Sequence, residues 1–241
     1  MSRVGGADMS TQAPTTHSSK KRKRTDSRYL CSQNCIESGL RQLCTSDPRL
    51  EGLIASCKKS IFDSFGSSKY DSFTSLCKSI CSQQLHTKAA ATIYGRVQEL
   101  CGDTTTGCIA PKAVSHASTT SLQEAGLSNS KIRYLKDLSD HYIRGSIEEE
   151  MLLSVDSLEE LQSLLLPVKG IGPWTVDMFA IFHLKLADVL PVSDLGVRKG
   201  MQKIYGLKSL PNPKQMTEIA ECWKPYRSLG TWFCWRALEA P

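Results

Sequence analysis

The sequence predicts an all-α fold, and three observations support this prediction. From Tyr29 onward, apolar residues recur at the three- and four-residue spacing of amphipathic helices. No stretch alternates between apolar and polar residues for long enough to predict a strand. Two helical stretches are joined by Gly-Ile-Gly at 170–172, which is typical of a tight turn. The 241 residues, 40% of them hydrophobic, suffice for one large or two small packed domains.

The first 28 residues differ in composition from the rest of the chain. They are rich in Ser, Thr and Gly and contain the run Lys-Lys-Arg-Lys-Arg at 20–24. Seven basic residues stand there against two acidic ones, a net charge of +5, whereas the remaining 213 residues hold 23 basic and 22 acidic residues. We expect a disordered tail whose basic run acts as a nuclear address, or as a solvated tail with non-specific affinity for polyanions.

The composition also excludes some classes of protein. No run approaches the roughly 18 uninterrupted apolar residues that a membrane span requires, and residues 1–14 lack the apolar stretch of a secretory signal. We therefore expect an intracellular protein. The ten cysteines are then expected to be reduced thiols, most of them small core residues.

Two helices are predicted between Tyr70 and Cys101. Their apolar stripes are Phe73, Leu76, Cys77 and Ile80 in the first, and Ala89, Ile93, Val97 and Leu100 in the second. Since Ala89 lies half a turn round from Ile80 at about 100° per residue, one straight helix could not bury both stripes. The pattern predicts a break between Ser82 and Thr87. It would place Gln83, Gln84, Leu85 and His86 on a protruding corner, with Thr87 available to cap the second helix.

The middle of the chain combines a connection with two shorter helices. Residues 101–121 are rich in Gly, Thr and Ser and are predicted to be a connection. A helix is expected after Thr120, ending at Gly126. Another is expected from about Asn129 to Arg144.

The next unit is a helix, a Gly-x-Gly hairpin and a second helix. Leu158, Leu161, Leu164 and Leu165 form an amphipathic stripe that ends at Pro167, and Pro173 suits the first turn of the following helix. Gly170 and Gly172 would let backbone N–H groups and the positive end of that helix approach a phosphate, and Lys169 adds a charge. An ordinary helix corner with two turn glycines is the alternative interpretation.

These residues carry a resemblance to a known family. Leu165–Thr175, followed twenty residues after Trp174 by Asp194, resembles the helix-hairpin-helix DNA glycosylase superfamily, and within it the 3-methyladenine DNA glycosylase II family. Residues 80–86, residues 223–228 and Trp235 extend the similarity over nearly the whole body. The resemblance implies a two-lobed fold of the compact eukaryotic form, with the active site in the cleft between the lobes. One lobe is expected at 72–186 and the other at 29–71 plus 187–241.

The resemblance implies that Asp194 is the catalytic residue. A fixed carboxylate can stabilise the positive charge that develops on the sugar and can orient or deprotonate the attacking water. Asp194 also precedes a helix expected to run to about Tyr205, so a helix N-cap is its structural interpretation, and Ser193 could serve as the cap instead. Members that also cut the backbone carry a lysine where this chain has Trp174, and an indole cannot form a Schiff base. A monofunctional glycosylase is therefore implied.

The resemblance further implies how DNA would be bound and read. Gln84 or Leu85 would fill the gap left by the flipped nucleotide, with His86 in the minor groove. The base pocket would include Trp174, Trp235 and Met178, the last of which replaces a tyrosine of the bacterial enzyme. DNA-binding residues in the hairpin region would be Lys169, Gly170, Ile171, Gly172 and Thr175. Trp223 and Trp232 are expected to be core residues.

The expected partner is double-stranded DNA with alkylated purines such as 3-methyladenine and 7-methylguanine, bound by a monomer whose product passes to abasic-site repair enzymes. Only Cys222 and Cys234 follow the catalytic region, and no C-x2-C pair exists, so no iron–sulfur cluster, zinc or other cofactor is expected. Two alternatives remain. One is a glycosylase for neutral lesions, ethenoadenine or hypoxanthine, although no carboxylic acid is evident at a pocket position. The other is a non-catalytic helix-hairpin-helix DNA-binding module.

Overall fold

The computed structural model describes residues 28–30, 32–66 and 69–239. The predicted basic tail, apart from Arg28, lies outside this part of the chain, as does its run at 20–24. The helices are α1 (Gln33–Ser46), α2 (Glu51–Ser64), α3 (Ser72–Ser82), α4 (Thr87–Cys101), α5 (Pro111–His116), α6 (Thr119–Glu124), α7 (Asn129–Ile143), α8 (Glu149–Ser154), α9 (Leu158–Leu165), α10 (Pro173–Phe179), α11 (Leu195–Tyr205), α12 (Pro213–Ile219) and α13 (Arg227–Glu239). Across the described ranges the structure contains isolated bridges but no strand, which confirms the all-α prediction.

The helices pack in two groups. Helix α13 contacts α1, α2 and α11, whereas α3 contacts α4, α7, α8 and α10, and α7 also packs on α5 and α6. The two groups meet along the segment that follows α10. Leu30 N–H donates to the Lys185 carbonyl at 2.7 Å, and Ser228 N–H donates to the Ala187 carbonyl at 2.9 Å. The lobe boundaries given above stay a prediction.

The corner between α3 and α4 is where the sequence places it, but its predicted basis is partly wrong. Helix α3 ends at Ser82 and α4 begins at Thr87. The buried residues of α4 are Ala90, Tyr94, Val97 and Cys101, while Ala89 and Leu100 are exposed. The burial stripe is therefore shifted by about one position from the predicted one. The N-cap is His86, without a side-chain hydrogen bond, so Thr87 does not cap the helix.

Between Cys101 and Gly145 the structure contains both predicted helices, α6 and α7, and one further helix, α5. Helix α6 ends before Gly126 and α7 before Gly145, and these glycines have φ of +101° and +71°, which a residue with a Cβ rarely adopts. The prediction of a plain connection at 101–121 is wrong, because α5 begins there at Pro111. A proline at the first helical position starts a helix without losing a hydrogen bond.

The cysteine prediction is confirmed for the described residues. Of the nine described cysteines, Cys77, Cys81, Cys101 and Cys234 lie in the core, and the half-buried Cys44 and Cys57 pack against it. All nine are free thiols. Trp223 and Trp232 are buried, as predicted. Within the described ranges, no helix combines the length and apolar character needed to cross a bilayer.

A buried carboxylate connects three parts of the α11–α13 group. Asp47, at the end of α1, accepts hydrogen bonds from the Trp223 indole N–H at 2.9 Å and from the Tyr205 hydroxyl. Its other oxygen accepts the Arg49 backbone N–H at 3.3 Å. Burial, together with the bond to Asp47, raises the pKa of the Tyr205 hydroxyl. This network fixes α1 against α11 and the turn that precedes α13.

Asp47→Ala should lower the free energy of unfolding by about 3 kcal/mol, because it leaves the Trp223 and Tyr205 donors buried without an acceptor. Urea denaturation followed by circular dichroism measures the change. The exposed Asp63→Ala is the control, with an expected change below about 0.5 kcal/mol. Equal stability of the two variants would contradict the role assigned to Asp47.

Candidate active site

The hairpin between α9 and α10 has the geometry of a tight turn. Ile171 N–H donates to the Val168 carbonyl at 3.1 Å, and Gly170 has a φ of +83°. A Cβ at Gly170 would lie 2.3 Å from the ring of Tyr134, so the turn packs closely on α7. Gly172 is the N-cap of α10, and Pro173 is its first residue. The predicted helix-hairpin-helix unit is therefore present.

Lys169 is paired within the protein, which the sequence does not predict. Its Nζ and its backbone N–H each donate to Asp137 of α7 at 2.8 Å. Burial raises the pKa of Asp137, but these bonds outweigh burial and hold that pKa below its usual value. Lys169 thus ties the hairpin to α7 and does not present an unpaired charge.

The other predicted hairpin residues differ in exposure. The side chains of Ile171 and Thr175 are buried, so contact with an external phosphate would go through the backbone. Thr175 is in the first turn of α10, where N–H groups have no intrahelical acceptor. The hairpin therefore offers backbone N–H groups and the positive end of a helix dipole.

Asp194 lies where three helices meet. It is the N-cap of α11, and its Oδ1 accepts the Val197 backbone N–H at 2.7 Å and the Trp235 indole N–H of α13 at 3.0 Å. Its Oδ2 accepts the indole N–H of Trp174, from α10, at 2.6 Å. Because Asp194 itself caps the helix, the alternative cap by Ser193 is wrong. The N-cap interpretation of Asp194 is correct, and the residue is half-buried.

Close packing of α11 on α13 holds this arrangement. A Cβ at Gly200 would lie 2.1 Å from the Cys234 carbonyl oxygen, and one at Gly196 would lie 2.8 Å from the Trp235 ring. The two helices can approach so closely only because these positions lack a side chain. Trp235 also stacks on Phe182, with ring centroids 5.5 Å apart.

A cavity of about 650 Å³ lies between the hairpin and the corner that joins α3 to α4. Its walls include Gln83, Gln84 and Leu85 on one side and Gly170, Gly172, Trp174, Thr175 and Met178 on the other. Trp174 is 44% exposed, which is unusual for so large an aromatic residue. Of the three predicted pocket residues, Trp174 and Met178 line this cavity, whereas Trp235 reaches the site through Asp194.

The corner is held to the hairpin by one side chain. Gln83 Nε2 donates to the Gly170 carbonyl at 2.7 Å. Gln84 has a φ of +56°, a strained conformation for a residue with a Cβ, and it is exposed together with Leu85 and His86. The structure thus brings most of the predicted corner and hairpin residues together at one cavity, but His86, Lys169 and Ile171 do not line it.

Sequence reasoning missed Asp177, one turn after Trp174 on α10. The residue is only 6% exposed. Burial and, secondarily, repulsion by Asp194 raise the pKa of its carboxyl to about 7. The available signal was an acidic residue three positions after Trp174 in an otherwise apolar stretch. Across the described residues, no group of three or more potential metal ligands is present.

The chain is similar to known DNA repair proteins in sequence and in fold. Residues 77–225 match the HhH-GPD family, described as a superfamily of base excision DNA repair proteins. DNA-3-methyladenine glycosylase 1 of Schizosaccharomyces pombe is 31% identical over 171 residues, which are 71% of this chain and 74% of that protein.

Two solved structures are also similar. The S. pombe 3-methyladenine DNA glycosylase in complex with abasic DNA gives a TM-score of 0.72 at 28% identity, covering 84% of this chain and 97% of that one. The DNA-3-methyladenine glycosidase of Bacillus halodurans gives a TM-score of 0.69 at 30% identity, covering 83% and 88%.

The two hairpin glycines should respond differently to alanine. Gly170→Ala should cost about 2 kcal/mol or more of unfolding free energy, because it combines a positive φ with a clash against Tyr134. Gly172→Ala is the matched control: a Cβ there meets nothing within 4 Å, and its φ is −104°. We expect a loss below about 1 kcal/mol for it. Similar losses in urea denaturation would contradict the described turn.

Asp177→Asn should change how stability depends on pH. The native state favours the protonated carboxyl of Asp177. Its contribution to the free energy of unfolding is therefore complete below pH about 4 and is lost as the pH rises to about 7. At pH 8 we expect the variant to be more stable than the wild type by about 2 kcal/mol, and the difference to shrink towards pH 4.

Urea denaturation at pH 4, 6 and 8 measures this difference. The control is Asp140→Asn, whose half-exposed carboxyl forms only a surface ion pair with Arg144, and it should follow the wild type within about 0.5 kcal/mol. A constant difference between Asp177→Asn and the wild type over this range would contradict the burial of a titrating carboxyl.

Proposed function

Because the chain belongs to the HhH-GPD superfamily of base excision DNA repair proteins, we propose that it hydrolyses the N-glycosidic bond of alkylated purines in duplex DNA. The observation that carries this proposal is the Asp194 carboxylate, held by three N–H donors beside the exposed Trp174. The substrate class is supported by the names of the relatives, which are 3-methyladenine DNA glycosylases. Substrates would include 3-methyladenine and 7-methylguanine.

Asp194 would stabilise the transition state electrostatically. Breaking the bond between sugar and base leaves positive charge on the sugar, and a carboxylate held in place does not need to reorganise to meet that charge. The three donors fix both carboxylate oxygens in position. This rigidity is the property that electrostatic catalysis requires.

The cavity beside Trp174 suits a cationic base. Aromatic faces attract cations, with about 0.5 to 2 kcal/mol in favour of a charged base over a neutral one. Trp174 presents 44% of its surface, and Met178 supplies a polarisable neighbour on the same helix. A positive charge on the base also weakens the glycosidic bond, so such substrates need little protonation of the leaving group.

DNA would be held at two places. The hairpin N–H groups and the start of α10 would bind backbone phosphate, while Gln84 or Leu85 would enter the space of the extruded nucleotide, with His86 in the minor groove. The bond from Gln83 to Gly170 supports this proposal because it keeps the two elements at a fixed distance.

The reaction would stop at base removal. Trp174 occupies the position where strand-cutting members have a lysine, and an indole has no amine for a Schiff base. The nearby Lys169 is bonded to Asp137. An abasic site would therefore be left for further repair enzymes. The basic run at 20–24 would direct the protein to the nucleus.

The test compares wild type, Asp194→Asn and Asp140→Asn on duplex DNA that contains 7-methylguanine. We expect the Asp194→Asn rate of base release to fall by at least about 100-fold, because the carboxylate charge is lost while its shape remains. Asp140→Asn, at a half-exposed position of α7, should keep the wild-type rate. Strands should break only after treatment with alkali.

Three results would contradict parts of the proposal. Equal rates for wild type and Asp194→Asn would remove Asp194 from the chemistry. Strand breaks before alkali would show lyase activity. Binding of the duplex without release of any base would favour a DNA-binding module.

A further inference from the structure

The corner between α3 and α4 is fastened on two sides. Gln83 Nε2 donates to the Gly170 carbonyl of the hairpin at 2.7 Å. On the other side, Lys131 Nζ of α7 donates to the Cys81 carbonyl, also at 2.7 Å. Cys81 is in the last turn of α3, immediately before the corner. The second bond therefore joins the corner to α7, a helix that does not line the cavity.

Lys131 supplies what the end of α3 lacks. The last carbonyl groups of a helix have no intrahelical donor, and they form the negative end of its dipole. A basic residue in the last turn can compensate for this, but α3 has none there. The ammonium of Lys131 provides both a donor and a positive charge at this end. It thus stabilises the turn from which the corner begins.

The corner needs such support. Gln84 has a φ of +56°, which a residue with a Cβ keeps only when its surroundings hold it there. The Leu85 backbone N–H donates to the Ser82 carbonyl at 3.2 Å, so the corner continues directly from the last turn of α3. A displacement of that turn would therefore also displace Gln84 and Leu85.

The position of Lys131 within α7 is unfavourable by local rules. It is the third residue of α7, in the first turn, where the positive end of the helix dipole disfavours a cation. Residues that break a local preference are often explained by function. The bond to α3 gives that explanation, because the half-buried side chain reaches the neighbouring helix.

The same helix also supports the hairpin. Tyr134, one turn after Lys131, lies against Gly170, and Asp137 accepts both bonds from Lys169. Helix α7 therefore contacts the corner through its first turn and the hairpin through its middle. The distance between the two elements proposed to bind DNA depends on this shared support.

We propose that Lys131 is a positioning residue for extrusion of the damaged nucleotide. It holds the last turn of α3 so that Gln84 or Leu85 lies where it can enter the duplex, and it takes no part in breaking the glycosidic bond. This inference rests on the proposed glycosylase function. It differs from a role as a phosphate ligand, because the Lys131 ammonium is bonded within the protein.

The experiment measures single-turnover release of 7-methylguanine from two duplexes, one with the lesion opposite cytosine and one with it opposite a mismatched thymine. Extrusion costs least at a mismatch, so release from the second duplex depends less on the corner. We expect K131M to be about tenfold slower than wild type opposite cytosine, and within about twofold of wild type opposite thymine.

Three further variants serve as comparisons. D194N impairs the chemical step, so it should slow release from both duplexes by the same factor. K112M removes an exposed lysine of α5 and should keep the wild-type rate on both. K131R retains a charged donor and should recover part of the rate that K131M loses opposite cytosine. Circular dichroism and urea denaturation establish that each variant is folded.

A second measurement separates positioning from direct contact with DNA. Loss of a lysine that binds phosphate reduces the slope of log affinity against log salt concentration by about 1. K131M should keep the wild-type slope for an undamaged duplex.

Three results would overturn the inference alone. One is a K131M rate equal to that of wild type opposite cytosine. Another is equal slowing of K131M on both duplexes, because a residue that only stabilises the fold would not distinguish them. The third is a salt slope reduced by about 1, which would make Lys131 a phosphate ligand. A wild-type protein that releases no base from either duplex would overturn the proposed function, and the inference with it.

Discussion

The site depends on one constraint, the capture of a single carboxylate by three helices. Asp194 begins α11, while its other donors are the indoles of Trp174 in α10 and Trp235 in α13. The donors come from positions 61 residues apart in the chain, so the carboxylate is in place only when the fold is complete. The glycines of α11 allow the approach of α13 that this requires. The hydrogen bonds that hold Asp194 in place for its proposed role therefore also hold the three helices together.

Local patterns were sufficient to predict much of this arrangement. The helix from Leu195 to Tyr205, the hairpin before Pro173 and the break after Ser82 each depend on residues within a few positions of one another. An N-cap, a Gly-x-Gly turn and a change of apolar face are local physical events, and the sequence displays them directly. The resemblance to known glycosylases added the expectations that Asp194 is catalytic and that Trp174 lines the base pocket.

Features that depend on distant partners could not be predicted in this way. The pairing of Lys169 with Asp137 and the bond from Gln83 to Gly170 join residues 32 and 87 positions apart. Short helices such as α5 carry little periodicity and owe their stability to packing, in this case on α7. The environment of Asp177 is likewise a product of tertiary structure. Its burial and its neighbour Asp194 both depend on how α10 docks.

The bond between Gln83 and Gly170 has a mechanical consequence. It limits movement of the corner relative to the hairpin. Under the proposed function, a protein that holds a phosphate with the hairpin would press the corner against the base stack at the same time. The duplex would then have to bend and unstack together. Damaged sites with weakened stacking resist this least, since unstacking costs least there. The protein would thus detect a lesion by how easily the DNA bends and unstacks there, before any base has entered the cavity.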